Sequence, residues 1–377
     1  MRKDVFGLIY AGEENMNLRE LVNKRSVGAL PIGGRYRAID FVLSNMVNSG
    51  IRNIGVIPRV NYHSLMDHLG SGKEWDLNRK NDGLFLIPPY DNRDNAGSYR
   101  GLIDTLKGAN SFIRHAQQKY CLLSGSHTIY NDTYREMFDY HLSTGADVTV
   151  MYNIPSHGFI GVDNEKDICL EMDSTGRVLD MKVHGTTSSG AYDKVGMSIY
   201  MVRKDLLQYL VDDANSRGKT SFAADVLMNN LGSLKVYGFE HKGYVGRLRS
   251  AASFYNVNMD LLNPDIQNAL FRTGNNIYTK IKDEAPTKYG SEAKVSNSLI
   301  GSGCVIDGVV ENSIIFRDVT IAKGTVVKNS IIMQSSEIYN DSRLENTILD
   351  KQVTVRPNSI LAGSREYPVI IPKGANV

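Results

Sequence analysis

The sequence predicts an α/β domain built on a doubly wound, mostly parallel sheet, followed by a left-handed β-helix of hexapeptide type. Three observations carry that expectation. The first two-thirds of the chain alternates short apolar runs with segments of helical periodicity, which implies parallel strands with helices on both faces. The last third repeats about every 17 residues and is rich in Val, Ile and small polar turn residues, the pattern of stacked β-coils. The first apolar run ends in a glycine turn, where sheets of this kind bind their ligands.

In chain order, Val5 to Tyr10 reads as a buried strand closed by Ala11-Gly12. Such a turn holds phosphates through backbone N–H groups and basic side chains. Here it continues Glu13-Glu14-Asn15-Met16-Asn17-Leu18, with two carboxylates and no early base. The frame of a phosphate site is present and its charge is inverted. Residues 37–48 carry Ile39, Val42, Leu43, Met46 and Val47 at helical spacing, with Gly50 placed to end the helix. Asn53 to Pro58 is a short strand, 102–117 a helix, 120–123 a strand, 133–143 a helix ended by Gly145, and 147–152 a strand.

The repeat is explicit. Asn312-Ser313-Ile314-Ile315, Asn329-Ser330-Ile331-Ile332 and Asn346-Thr347-Ile348-Leu349 start 17 residues apart, and Asn297-Ser298-Leu299-Ile300 precedes them by 15. Val310, Val327 and Leu344 keep the same period, as do Ile321, Ile338 and Val355. One coil cannot bury its inward face alone, so the coils stack. The division is therefore 1–261 for the α/β domain, 262–290 for a polar connector and 291–377 for the β-helix.

Composition excludes several classes. With 377 residues, 42% hydrophobic and 22% charged, the chain is long enough for two globular domains. A net charge of +2 gives no broad footprint for nucleic acid. No apolar run is long enough to span a bilayer. Three scattered cysteines have no metal spacing, and Cys121 and Cys304 sit in apolar runs, which points to a reducing, cytoplasmic compartment. Trp75 reads as a plug that seats a loop, and His63, His68 and His127 show no metal spacing. No histidine lies between Ala293 and Val377, which argues against a hexapeptide acyltransferase.

Local sequence narrows the reading. Gly33-Gly34-Arg35-Tyr36-Arg37-Ala38-Ile39-Asp40-Phe41-Val42-Leu43-Ser44-Asn45, then Asn48-Ser49-Gly50-Ile51, closely resembles the GGKYRIIDFxLSNxxNSGI block of bacterial glucose-1-phosphate adenylyltransferase (ADP-glucose pyrophosphorylase). Tyr99-Arg100-Gly101-Leu102-Ile103-Asp104 is similar to that family's YRGTAD, and Leu123-Ser124-Gly125-Ser126-His127 to its LxGDH. Tyr244-Val245-Gly246-Arg247-Leu248-Arg249 stands in the place of VGTID, and residues 283–289 resemble DExPTxY at the domain joint. The resemblance covers nearly the whole chain and implies a nucleotidyltransferase domain.

The departures fall on the chemistry. In that family the phosphate of glucose 1-phosphate attacks the α-phosphorus of ATP, assisted by positioned Arg and Lys and by Mg²⁺ on carboxylates. Set against the family's GGxG[ST]RL loop, this chain has Glu13 and Asn15 at later glycines, Glu14 at the loop's basic position and Asn17 at its arginine. Val27 replaces the lysine of AKP, Ser126 the metal aspartate of GDH, and Arg249 the second metal aspartate, or Ser250 with a different gap. The EKP segment falls near Val183-His184-Gly185. Gly12, Gly101, Asp104 and Gly125 remain as remnants of a nucleotide cleft.

This pattern resembles the non-catalytic, GlgD-type subunit of the two-component bacterial enzyme. It implies a regulatory, catalytically degraded subunit of glycogen synthesis that binds no metal or other cofactor itself, with Mg²⁺ used by a catalytic partner. The implied assemblies are a homo-oligomer and a mixed tetramer. Arg35, at the place of an effector-site lysine, joins Arg37 and Arg52 as candidates for an anion site reading a phosphorylated metabolite. The alternative is a self-sufficient sugar nucleotidyltransferase with altered metal ligands, for which Asp132, Glu13 or Glu14 would have to compensate.

Overall fold

A computed structural model describes residues 1, 3–13, 16–89, 101–155, 167–183 and 193–377. Its centre is a nine-stranded sheet. Gly83–Leu86, Asn53–Pro58, Val5–Ala11 and Tyr120–Gly125 lie side by side and parallel. The last three of these are apolar nearly throughout because both of their faces are covered. The long strand Lys194–Arg203 then runs antiparallel to Tyr120–Gly125 and carries the sheet on to Val148–Asn153 and Ile168–Met172. Val236–Glu240 adds parallel to Val148–Asn153. One buried cluster fills each face of the sheet, around Leu8 and Leu123 on one side and Ile9 and Val56 on the other.

Helix Ala38–Asn48 follows a tight hairpin in which Pro31–Ile32 pairs with Tyr36–Arg37. Gly33 and Gly34 both take positive φ in that turn, a geometry that glycine adopts without strain. Asp40 caps the helix by accepting the Arg37 N–H at 2.9 Å, and its other oxygen meets His68 Nε2 at 2.6 Å. Trp75 is buried edge-on against His68 and seats its loop on the domain. The expected helix over 102–117 is two, Leu102–Gly108 and Asn110–His115, broken at Ala109. Gly108 and Asn110 are weak helix formers on either side of the break. The other expected elements are found with ends moved by one or two residues, among them Arg135–Thr144 and Val148–Asn153.

From Lys288 onward the chain winds into three parallel five-stranded sheets, a left-handed β-helix of hexapeptide type. The register restates the repeat, with Leu299 on Ile314, Ile314 on Ile331 and Ile331 on Ile348. Every residue of the Asn-Ser-Ile-Ile unit has one task. Asn297, Asn312, Asn329 and Asn346 turn the corners at positive φ, which asparagine tolerates better than most residues. Ser330 Oγ accepts the Thr347 N–H at 3.2 Å, and Ser313 Oγ accepts the Ser330 N–H at 3.1 Å. Ile315, Ile332 and Leu349 fill the bore of the helix. Ile314, Ile331 and Ile348 point the other way, into a cluster with Leu18, Leu21, Phe41 and Phe254 of the α/β domain. The β-helix is thereby packed onto the first domain through a shared core. Between them, 262–290 holds helix Pro264–Phe271 and ends in Lys288–Tyr289, which already pairs with Val305–Ile306. All three cysteines are buried and free, and no helix among the described residues is long and apolar enough to cross a membrane.

Candidate functional site

The parallel strands Val5–Ala11 and Tyr120–Gly125 end side by side, Tyr10 opposite Gly125. Their carboxyl ends are where a sheet of this type places its ligand. The turn after the first strand puts a carboxylate there. Glu13 accepts the Ser126 N–H at 2.6 Å and the Ser126 hydroxyl at 2.8 Å, and His127 Nδ1 lies 3.1 Å from it. Gly125 makes room for this contact, since a Cβ there would sit 2.9 Å from Glu13 Oε1. Gly12 is as tightly placed, against Tyr10 and Arg59. Burial pushes the Glu13 carboxyl up, but the His127 and Ser126 hydrogen bonds outweigh it and hold it below the usual carboxylate range. Burial and the nearby Arg249 keep the His127 imidazole below its ordinary value.

The ribbon formed by Gly246–Arg247 and Thr128–Ile129 brings Arg249 beside this turn. Leu248 N donates to His127 O at 2.9 Å. Arg249 spends its charge on Asp167, at 2.7 Å, and Arg247 reaches the same carboxylate at 3.9 Å and Asn153 at 2.5 Å. Ser250 caps helix Ala251–Asp260 by accepting the Ser253 N–H. Val27 is buried, packed in one cluster with Leu18, Leu21 and Leu30, and offers no charge. Asp132 is engaged elsewhere, with His241 Nδ1 at 2.6 Å. Gly101 precedes helix Leu102–Gly108, where a Cβ would strike Thr220 O, and Asp104 sits half-buried in the first turn. Glu14, Tyr99, Arg100, His184 and Gly185 lie outside the described residues.

A cavity of about 580 Å³ opens between the glycine turn and segment 16–27, with Glu13, Arg25 and Val27 on its wall. The β-helix holds this segment at two points. Arg25 makes a fully buried bidentate pair with Asp350, at 2.7 and 2.9 Å, and the Arg19 guanidinium lies 4.7 Å over the Tyr367 ring.

A second cavity, of about 480 Å³, lies between the domains. The hairpin after Ile32 delivers Arg35 and Arg37 to it. Lys280 and Lys282 come from the connector, and Arg317 and Lys351 from turns of the β-helix. Against these six basic residues the wall sets one acid, Asp67. Lys280 leans on Asp67 at 3.6 Å and Arg317 on Glu284 at 2.7 Å. The structure thus joins Arg35 to Arg37 but leaves Arg52 off the wall, at the start of strand Asn53–Pro58, where its carbonyl accepts the Gly83 N–H. The four other basic residues had no sequence signal, because each comes from a segment hundreds of residues away from the arginine hairpin.

The nucleotidyl transferase family matches residues 6–263, and the family described as GlmU-like, C-terminal hexapeptide matches 284–366. The chain is 35% identical to the glycogen biosynthesis protein GlgD of Bacillus subtilis (strain 168), covering 98% of this chain and 96% of that protein. It is 37% identical to GlgD of Geobacillus stearothermophilus over 99% and 97%. A glucose-1-phosphate adenylyltransferase of Geobacillus stearothermophilus is 33% identical over 87% of this chain and 84% of its own length.

Proposed function

The chain belongs to the nucleotidyl transferase family, with GlgD proteins and glucose-1-phosphate adenylyltransferases among its relatives, and from that premise we propose that it is a regulatory, catalytically degraded subunit of glucose-1-phosphate adenylyltransferase. It works in the cytoplasm, in glycogen synthesis, beside a catalytic homologue that supplies the chemistry and uses the Mg²⁺. The observation that carries this reading is Glu13, which already occupies the backbone and hydroxyl donors of Ser126. A triphosphate arriving at this turn would meet a fixed negative charge in place of free N–H donors.

A divalent cation does not suit the cleft either. Mg²⁺ wants several oxygen ligands in near-octahedral geometry. Among the described residues the one carboxylate at Ser126 is committed to three donors, and Arg249 brings a guanidinium to the second position. Losing a single well-placed transition-state donor costs about 3–4 kcal/mol, and several are replaced here together.

Regulation would enter through the interdomain cavity. Its six basic residues suit a phosphorylated metabolite, and an arginine such as Arg35 grips phosphate through two parallel hydrogen bonds. The exposed sheets of the β-helix offer flat surfaces for pairing with itself or with the homologue in a mixed tetramer.

The test is pyrophosphate release by the purified chain, alone and mixed with a catalytic homologue from the same cell. The chain alone should release little or none, and should change the partner's rate or its response to a phosphorylated metabolite. Arg35→Ala should right-shift that response and leave the unstimulated rate in place. Turnover by the isolated chain at the homologue's rate would sink the proposal.

A further inference from the structure

The floor of the interdomain cavity is an amine without a carboxylate of its own. Lys351 is buried on the turn that follows strand Thr347–Leu349, and it lines the cavity. Its neighbour Asp350 gives both oxygens to Arg25 and one of them also to the Lys351 backbone N–H. No carboxylate among the described residues forms an ion pair with the Lys351 ammonium. Asp350, already neutralised by Arg25, is the one acid that raises its proton affinity.

The charges around Lys351 come from every element packed there. Arg25 stands beside it on the cleft segment, Arg37 on the hairpin and Lys373 on the last coil. Across the cavity are Arg35, Arg317, Lys280 and Lys282, with Asp67 and His68 of helix His63–Leu69. Burial, then Arg37 and Arg25, bring the Lys351 amine down to about 7. A buried amine among cations holds its proton weakly, and an anion beside it strengthens that hold.

We propose that a doubly charged anion entering the interdomain cavity binds with uptake of one proton from solvent by Lys351, so that the cavity holds anions less tightly as pH rises above neutrality. The proposal rests on the reading of this cavity as an anion site. The sign follows from linkage. In the free chain the amine loses its proton as pH passes about 7. An anion at contact distance stabilises the charged form, so the bound chain keeps its proton to higher pH. Between those two points binding takes up a proton, and affinity falls with a slope that steepens toward about tenfold per pH unit. Below about pH 6 the amine is charged in both states and the dependence vanishes.

Sulfate is the probe, because its charge is constant across this range. Titration calorimetry on the full chain, in pairs of buffers with different protonation enthalpies, reads affinity and proton uptake together. The wild type should take up a proton near pH 8 and bind about fivefold more weakly there than near pH 7. Lys351→Arg should bind sulfate with no proton uptake and a flat profile, because a guanidinium stays charged throughout. Lys351→Met should bind more weakly at pH 6.5, also with a flat profile. Sulfate binding without proton uptake in the wild type overturns the linkage and leaves the anion site standing. A slope that survives in Lys351→Arg assigns the proton to another group and overturns it too. Absence of binding by sulfate and by inorganic pyrophosphate overturns both the linkage and the anion site.

Discussion

Glu13 accepts from the Ser126 amide, the Ser126 hydroxyl and the His127 ring edge, and a carboxylate so engaged gives up its charge reluctantly. Its folded-state value lies below the ordinary 4.5. The stability it contributes is therefore complete above about pH 4.5 and lost as pH falls through the lower folded value. His127, held below its ordinary 6.5 by burial and Arg249, acts in the same direction, because the unfolded chain binds its proton first as pH drops below 6.5. Glu13→Gln should cost about 1–3 kcal/mol at pH 7. Urea unfolding at pH 7 and pH 4 should show the gap between wild type and variant narrowing in acid. A gap that stays constant would mean that ionised Glu13 is not what the turn depends on.

At the scale of elements, the β-helix places its polar groups where the repeat demands them. Ser330 is fully buried, donates to Lys328 O at 2.6 Å and accepts from Thr347 N. Ser330→Ala leaves that amide unpartnered inside the corner and should cost about 1–3 kcal/mol, read by chemical denaturation. Ser364→Ala, in an exposed loop, should stay within about 0.5 kcal/mol. This part of the fold was legible because each position of Asn-Ser-Ile-Ile meets one environment in every coil, and repetition makes that environment visible in sequence. The parallel strands Val5–Ala11, Asn53–Pro58 and Tyr120–Gly125 were legible for a similar reason, being buried on both faces. The break at Ala109 was not, since local propensity hardly separates one helix from two. Nor was the site fully legible. Glu13 stood out as a wrong residue in a phosphate turn, but its partner lies 113 positions away. The cavity shows the same limit, joining Arg35 to Lys351 across the whole chain and excluding Arg52, a candidate for the same anion site.

The whole molecule is governed by the cluster that the two domains share. Ile331 and Ile348 are fully buried against Phe41 and Phe254, and the buried Arg25–Asp350 pair crosses the same joint. Breaking a buried pair by removing one partner costs about 3–5 kcal/mol, and truncating a buried isoleucine to alanine about 2–5 kcal/mol. Scanning calorimetry of the full chain should therefore give one transition. Ile331→Ala should move it down without splitting it. Two resolved transitions in the wild type would show that the domains unfold independently and that this joint contributes little.

The contact between Glu13 and Ser126 also sets the paths open to mutation. Ser126→Asp alone would press a second carboxylate against Glu13, at a site where the serine oxygen now lies 2.8 Å away. Glu13→Gly alone would strip the acceptor from a buried amide and from His127. Both single substitutions run uphill, the first by repulsion and the second by unpaired donors. Substitution one position at a time therefore meets a cost at either residue, so the turn works as a ratchet. A lineage that has placed a glutamate here is held there by its own hydrogen bonds.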